Sequence, residues 1–415
     1  MSHRTPMPPD LTGFDLRALP PSFHDNPYRW YAALREQSPV RTMPDASVLL
    51  TRYRDCEAVY RDPRLFSSDK RAEFGPKYGV GSPLFEHHTS SLVFNDPPLH
   101  SRVRRLIAGA LTARATDALE AGVTQWIDHL LDRMTDRAAR GEPVDLIADF
   151  ASAIPVEVIG NLLGVPQDER GPLRDWSLAI LGALEPSLDA AQLALGHQAV
   201  TDFSAYLRQL VAQRRAQPGD PARDVLTRLI QGESGAEDQR LTESELVQNC
   251  IFILNAGHET TTNLIGNGLM SLLDWPDQKR LLVEQPELID GAVEEFLRFE
   301  SSNQLGNRMS TAEAVVGGVP LVAGTRITLC IGAANRDPAV VVDPDRLDIR
   351  RSPNRHLAFG FGSHQCVGMG LARLEGRVAI GRFLQRFPNY ALAGPAVRGG
   401  RVRFRGYLSF GLRGL

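Results

Sequence analysis

Cysteine is scarce in this chain, with four residues among 415, at positions 56, 250, 330 and 366. They lie far apart and form no Cys-x-x-Cys pair, which argues against a disulfide framework and a clustered-cysteine metal site. Reduced thiols are therefore expected. Cys250 and Cys330 lie in apolar surroundings and should be buried, whereas Cys56 lies among charges and is predicted to sit on a surface helix. Cys366 requires a separate explanation.

Long apolar segments and blocks of one charge are also missing. No run approaches the roughly 20 consecutive apolar residues that span a bilayer, so no membrane attachment is expected. Lys and Arg total 46 against 49 Asp and Glu, and no basic block favours nucleic-acid binding. The proline-rich start lacks the apolar core of a secretory signal, so residues 1–20 are predicted to be a loose arm of a cytoplasmic protein.

The hydrophobic pattern predicts a mainly α-helical chain with small β-sheets, an α+β fold class. Helical periodicity dominates residues 98–230, while residues 48–51 are extended and residues 313–331 have the pattern of a small hairpin. Residues 67–95 contain several Gly and Pro residues and show no sustained periodicity. They are predicted to form a long loop that serves as a substrate lid.

A single long helix is predicted in the second half of the chain. Thr242 and Glu245 have the spacing of a capping box, and no proline follows until Pro276. A helix of about 30 residues would be about 45 Å long, which is enough to cross the molecule.

A glycine-rich loop precedes the fourth cysteine, with the sequence Phe-Gly-Phe-Gly-Ser-His-Gln-Cys-Val-Gly over residues 359–368. Its glycines permit a tight backbone path that brings a flat macrocycle close to the chain. Cys366 would stand at the start of a helix, whose NH groups and dipole favour a thiolate. For an average cysteine, the better interpretation would be a buried thiol in a turn.

This loop closely resembles the haem-binding signature of the cytochrome P450 superfamily, Phe-Gly-x-Gly-x-His-x-Cys-x-Gly, with every specified position filled. The resemblance covers nearly the whole chain, whose length is that of the soluble bacterial class. It implies the cytochrome P450 fold, with residues 21–415 as one catalytic domain and haem b between the long central helix and the cysteine-loop helix. Cys366 would be the axial ligand of the iron, with Phe359 and Gly360 beside the cofactor.

The long helix carries Ala-Gly-His-Glu-Thr at residues 256–260, which resembles the family's oxygen-activation motif. Ala256 and Thr260 are four apart on one helix face, so a small residue leaves space over the iron while a hydroxyl reaches it. Gly257 belongs to the same cofactor-facing segment, and Glu259 with Thr260 would relay protons. Without the cysteine loop, the better interpretation is a Thr260 that bonds back to a carbonyl and a solvated Glu259.

Buried haem propionates require cationic partners. His100 and Arg104 are four apart on one helix face and resemble the family's propionate-binding pair. By the same resemblance, Arg308 and His364 contribute two further contacts.

Glu295 and Arg298 resemble the family's structural Glu-x-x-Arg pair beside the cysteine loop. The resemblance assigns Arg346 to the same network. Leu347 follows it where the family commonly has phenylalanine, which puts the local packing in question.

The resemblance implies a monooxygenase that inserts one oxygen atom from O2 into a small or medium hydrophobic organic substrate, by hydroxylation or oxidative dealkylation. Electrons would come from separate partners, a ferredoxin and its reductase, and basic residues near the cysteine could form their docking face. These residues are Arg102, Arg105, Arg373 and Arg377.

Two alternatives stay open. One is peroxygenase or phenol-coupling chemistry on the same scaffold, against which Glu259 and Thr260 argue. The other is a non-enzymatic haem-based ligand-binding protein, which would consume no reducing equivalents in response to substrate.

Overall fold

The computed structural model describes residues 8–221, 224–232 and 241–415. Helices make up most of this part of the chain, as predicted. They are α1 (Pro21–Asp25), α2 (Tyr28–Gln37), α3 (Tyr53–Arg61), α4 (Arg71–Tyr78), α5 (Pro83–Ser90), α6 (Leu99–Ala110), α7 (Ala113–Ala139), α8 (Ala153–Leu163), α9 (Leu173–Gly182), α10 (Ala190–Ala216), α11 (Val225–Gln231), α12 (Glu243–Asp274), α13 (Pro276–Glu284), α14 (Ile289–Phe299), α15 (Ile331–Ala334) and α16 (Met369–Arg386). Within the described ranges, no helix is both long and apolar enough to cross a membrane.

The strands are short and form small sheets. They are β1 (Val40–Thr42), β2 (Val48–Leu50), β3 (Phe66–Ser67), β4 (Val144–Asp145), β5 (Leu305–Ser310), β6 (Ala314–Val316), β7 (Val319–Leu321), β8 (Arg326–Cys330), β9 (Ala391–Leu392), β10 (Val397–Arg398), β11 (Tyr407–Ser409) and β12 (Gly411–Arg413). The largest sheet has the order β1-β2-β8-β5-β3, and β2 pairs with β8 in parallel. The predicted hairpin is confirmed as the antiparallel pair β6 and β7.

Helix α12 confirms the predicted spine. The Thr242 backbone NH donates to Glu245 Oε2 at 2.8 Å, and the Glu245 NH donates to Thr242 Oγ1 at 3.2 Å, which completes the capping box. The helix runs for 32 residues and ends just before Pro276. Its buried side chains lie on nearly every face, so it forms the centre of the main hydrophobic core.

The prediction of a long loop at residues 67–95 is wrong, because α4 and α5 form within it. Gly75 and Pro76 lie inside α4 and obscure its periodicity in the sequence. Packing compensates for this composition, since Phe74 and Tyr78 are buried with ring centroids 5.1 Å apart.

The prediction of a surface position for Cys56 is also wrong, because its side chain is fully buried on the inner face of α3. Cys250 and Cys330 are buried as predicted. Part of the predicted loose arm is ordered as well. Leu11 and Phe14 are buried in a small core beside β2, while residues 1–7 of that arm lie outside the described residues.

Candidate active site

A cavity of about 340 Å³ lies where α12, α6, β5 and the cysteine loop meet. Most of the residues that line it are apolar. The structure brings ten of the predicted site residues to its wall: His100, Arg104, Ala256, Gly257, Thr260, Arg308, Phe359, Gly360, His364 and Cys366. The other three, Glu259, Glu295 and Arg298, do not line it.

The cysteine loop is a tight turn that ends at the start of α16. The Cys366 NH donates to the Phe359 carbonyl at 2.8 Å, and Gly360 and Gly362 have φ of +66° and +71°. A Cβ on Gly362 would lie 2.5 Å from the Tyr60 carbonyl oxygen, so glycine is required there on two counts. The close approach of α3 therefore explains part of the glycine pattern.

Cys366 differs from the other three cysteines because it is exposed to the cavity although protein surrounds it. Burial raises the pKa of its thiol, while a hydrogen bond from the Gly368 NH and the charges of Arg104 and Arg373 act in the opposite direction. A positively charged metal at the sulfur would favour the thiolate further. The chain therefore presents a single thiol to this cavity.

His100, Arg104, Arg308 and His364 form a cationic cluster on the cavity wall. The rings of His100 and His364 lie 3.9 Å apart, and the Nε2 atoms of both are buried without a hydrogen-bond partner. Burial and the neighbouring arginines lower the pKa of His100 to about 4 and that of His364 to about 2. Both imidazoles are therefore neutral at pH 7, with ring nitrogens ready to bond to a ligand.

The two arginines of this cluster have no carboxylate within 4 Å in the part of the chain that the structure describes. Arg308 donates to the Asn307 carbonyl at 2.7 Å and stacks over the Tyr60 ring at 4.9 Å. Buried cations need an anionic partner. Two arginines and two imidazoles beside a thiol therefore fit the two propionates and the iron of haem.

On the opposite wall, Ala256 and Thr260 face the cavity from α12. The Thr260 hydroxyl donates to the Ala256 carbonyl at 2.7 Å, which is the local hydrogen bond that the simpler interpretation predicts. The oxygen atom still has lone pairs with which to accept a hydrogen bond. Gly257 serves packing as well, since a Cβ there would meet Ile159 Cδ1 of α8 at 2.0 Å.

Glu259 is not a solvated helix residue, because it is only 6% exposed. Arg401 Nη1 donates to its two carboxylate oxygens at 2.6 and 2.7 Å. Burial raises the pKa of Glu259 to about 7, and Arg401 opposes that shift. No sequence pattern indicated this pair, whose members lie 142 residues apart.

Glu295 and Arg298 form the expected pair, fully buried and joined by two hydrogen bonds of 2.8 Å. The assignment of Arg346 to this network needs correction. Arg346 contributes only its backbone carbonyl, whereas the side chain of Arg351 reaches Glu295 at 3.2 Å. Two arginine side chains thus converge on Glu295 beside the segment that leads to the cysteine loop, and the second is Arg351 rather than the predicted Arg346.

Most of the predicted docking arginines are paired with carboxylates. Arg102 bonds to Glu245, Arg373 to Glu294 at 2.6 Å, and Arg377 to Glu120 at 3.1 Å. These ion pairs reduce the positive charge that the sequence suggested near Cys366.

Residues 183–390 match the family model described as Cytochrome P450. The chain is 39% identical over 397 residues to "Cytochrome P450 107B1" of Saccharopolyspora erythraea, covering 93% of this chain and 92% of the relative. It is 41% identical over 376 residues to a "Vitamin D(3) 25-hydroxylase" of Pseudonocardia autotrophica, covering 90% and 89%.

Among solved structures, the myxobacterial cytochrome P450 CYP267B1 in complex with myristic acid superposes with a TM-score of 0.86 at 33% identity. The match covers 95% of this chain and 98% of that one. The predicted family and fold are confirmed. On these likenesses and the cavity geometry, this chain belongs to the cytochrome P450 family, as a haem-binding monooxygenase that acts on organic substrates with O2 and redox partners.

Proposed function

We propose that this P450 inserts one oxygen atom from O2 into a hydrophobic organic substrate of small or medium size, by hydroxylation or oxidative dealkylation. One observation carries the proposal. A lone thiol, a cationic cluster and the Ala256–Thr260 face of α12 all line the same largely apolar cavity. The named vitamin D(3) hydroxylase and the myristic acid complex support a substrate that is mostly apolar.

The cofactor would be haem b, and the Cys366 thiolate would bind its iron. Arg104 and Arg308 would pair with the propionates, and His100 and His364 would bond to them through nitrogens that lack protein partners. Phe359 and Gly360, which line the cavity from the cysteine loop, would contact the cofactor there. When bound, haem with a thiolate ligand supplies the binding of O2 and the cleavage of its O–O bond.

The chain's own residues supply space and protons. Ala256 leaves room at the cavity wall, and Thr260 accepts a hydrogen bond there while it donates to the helix backbone. Glu259, with a pKa of about 7, exchanges its proton near neutral pH. Because Arg401 holds its carboxylate outside the cavity lining, Glu259 supplies protons from the outer side of α12.

Electrons come from a ferredoxin and its reductase, which dock near Cys366. Because most of the arginines near Cys366 are paired with carboxylates, ferredoxin docking depends on the shape of this surface more than on its net charge.

We place the protein in the cytoplasm because its four cysteines are free thiols. Residues 21–415 form the catalytic domain.

The axial assignment is tested by the carbon-monoxide difference spectrum of the reduced, haem-loaded protein. Wild type should show the strongly red-shifted Soret band of thiolate-bound haem, and Cys366→His should lose it. Cys250→Ala removes a fully buried thiol away from the cavity and is the matched control. A red-shifted band in Cys366→His would overturn the assignment.

The relay is tested with Thr260→Ala against Thr262→Ala. Thr262 makes the same back-bond on α12, to the His258 carbonyl at 2.9 Å, but does not line the cavity. In the presence of a compound that shifts the haem spin state, Thr260→Ala should divert reducing equivalents to peroxide or water, and Thr262→Ala should not. Equal coupling in both variants would refute the relay. Product formed from peroxide alone, without reductant, would favour the peroxygenase alternative.

A further inference from the structure

Three arginines alternate along the segment between β10 and β11, and one of them differs from the others. Arg401 is bound to Glu259 at 2.6 Å, and Arg405 is bound to Glu300. Arg403 lines the cavity, and no carboxylate lies within 4 Å of its guanidinium in the described ranges. The position that faces the cavity is thus the one without a carboxylate partner.

Arg403 is nevertheless firmly held. Its backbone NH donates to Glu185 Oε1 at 3.1 Å, and its guanidinium donates to the carbonyls of Leu184 at 3.4 Å and Leu305 at 2.9 Å. A third donor bonds to Asn307 Oδ1. These bonds use three of the five N–H donors of the guanidinium and leave two for a ligand.

The charges around Arg403 do not balance. Lys70 is buried and bonds to Glu73 at 2.8 Å, while Lys77 donates to a carbonyl, that of Glu185, at 2.7 Å. Burial, together with Arg403, lowers the pKa of Lys77 to about 8, so it is still mostly protonated at pH 7. Three cations thus stand against the carboxylates of Glu73 and Glu185, and one positive charge is left over.

The neighbouring imidazole adds no charge. Burial holds the pKa of His88 well below its usual value, so this ring is neutral at pH 7. Beyond it the wall is apolar, with Leu181, Leu184, Ile253 and Phe404 among its residues. An arginine with two free N–H donors on such a wall can bind one carboxylate, because guanidinium and carboxylate pair through two parallel hydrogen bonds.

We propose that Arg403 binds the carboxylate of the substrate, so that the substrate is an amphipathic acid with an apolar body and one carboxylate. The inference rests on the proposed monooxygenase function and specifies the substrate class for that site. Arg104 and Arg308 already match the two propionates, which leaves Arg403 for the substrate.

The test uses two sets of probes that bind haem iron through an imidazole, so that binding is always seen in the spectrum. One set is ω-imidazolyl carboxylic acids with eight to twelve methylene groups, and the other is the matching 1-alkylimidazoles without the carboxylate. Each is titrated into haem-loaded wild type, Arg403→Gln, Arg403→Lys and Arg398→Gln. Arg398 lies on the neighbouring strand, pairs with Glu300 at 3.5 Å and does not line the cavity, so it is the charge-matched control.

Wild type should bind the acid of at least one chain length tenfold or more tightly than its alkylimidazole. Arg403→Gln should lose that preference, Arg403→Lys should retain part of it, and Arg398→Gln should retain all of it. The proposal fails if wild type has no preference at any length, or if Arg403→Gln keeps it.

Two further outcomes separate this inference from its alternatives. If Arg403→Gln weakens haem retention and leaves the preference for acids unchanged, Arg403 serves a propionate and the proposal is overturned. If neither the acids nor the alkylimidazoles give a shift in wild type although haem is bound, the haem iron is not open to this cavity, and the proposed function fails together with this inference.

Discussion

Glu375 is a carboxyl group that the structure leaves without a partner. It lies on α16 with 1% of its surface exposed, lines the cavity, and has no hydrogen bond within the described residues. Burial raises its pKa from the ordinary 4.5 to about 8, and no nearby charge acts on it. We therefore expect a neutral carboxylic acid at pH 7.

This shift links folding to pH. The folded state holds the Glu375 proton up to about pH 8, whereas the unfolded chain releases it near pH 4.5. The unfolded state therefore binds fewer protons in this window, and the free energy of unfolding falls as the pH rises. One proton changes the free energy of unfolding by about 1.4 kcal/mol per pH unit, and by less near pH 8, where the folded state also releases its proton. From pH 6 to pH 8, the free energy of unfolding should therefore fall by about 2 kcal/mol.

The perturbation is Glu375→Gln, which keeps the shape and removes the titration. Urea unfolding of the haem-loaded proteins at pH 6, 7 and 8, followed by circular dichroism, gives the free energy of unfolding. Wild type should lose about 2 kcal/mol more than the variant over this range. Glu86→Gln, at an exposed position on α5, should follow wild type. Parallel curves for wild type and Glu375→Gln would show that Glu375 does not hold its proton in the folded state up to about pH 8.

Three further predictions concern groups next to the site. Glu295→Ala leaves the guanidinium of its buried partner arginine uncompensated and should lower the free energy of unfolding by about 3–5 kcal/mol, measured in urea. Gly257→Ala should cost about 1–3 kcal/mol in the same assay because its Cβ meets Ile159, and Ile159→Val should recover part of that loss. Arg401→Gln removes the cation that lowers the pKa of Glu259, so that pKa should rise above 7. The pH profile of coupled turnover should then shift to higher pH, and an unchanged profile would contradict this.

Local sequence signals predicted the elements that hold the site. The capping box of Thr242 and Glu245 lies within one helical turn, so its formation depends little on the rest of the fold. The cysteine loop is equally local, since Gly360 and Gly362 adopt their left-handed conformations within a few residues of Cys366. The conformations of both features are determined by short local segments of the sequence.

The errors have long-range causes. Helix α4 forms despite Gly75 and Pro76 because Phe74 and Tyr78 pack against residues distant in sequence, which no local pattern shows. Cys56 lies on the buried face of α3 with Val59 and Tyr60, and the charge of its neighbour Arg54 points to solvent although Asp55 is buried.

Electrostatic partners were the hardest feature to predict. The Glu259–Arg401 pair and the choice of Arg351 over Arg346 depend on where two separate loops pass in space. In the sequence, the candidate arginines are chemically equivalent, so only the fold distinguishes them.

The charge state of each ionisable group in or beside the cavity depends on whether the protein supplies its counterion. Glu259 receives a cation from the protein, in Arg401. Glu375 has none and becomes neutral, because an isolated buried charge costs more than protonation. An arginine cannot become neutral in the same way, because its guanidinium stays protonated in a protein. Arg104, Arg308 and Arg403 lack a carboxylate partner at this wall and are therefore the positions where a ligand must bring the anion. The binding of that ligand should stabilise the fold.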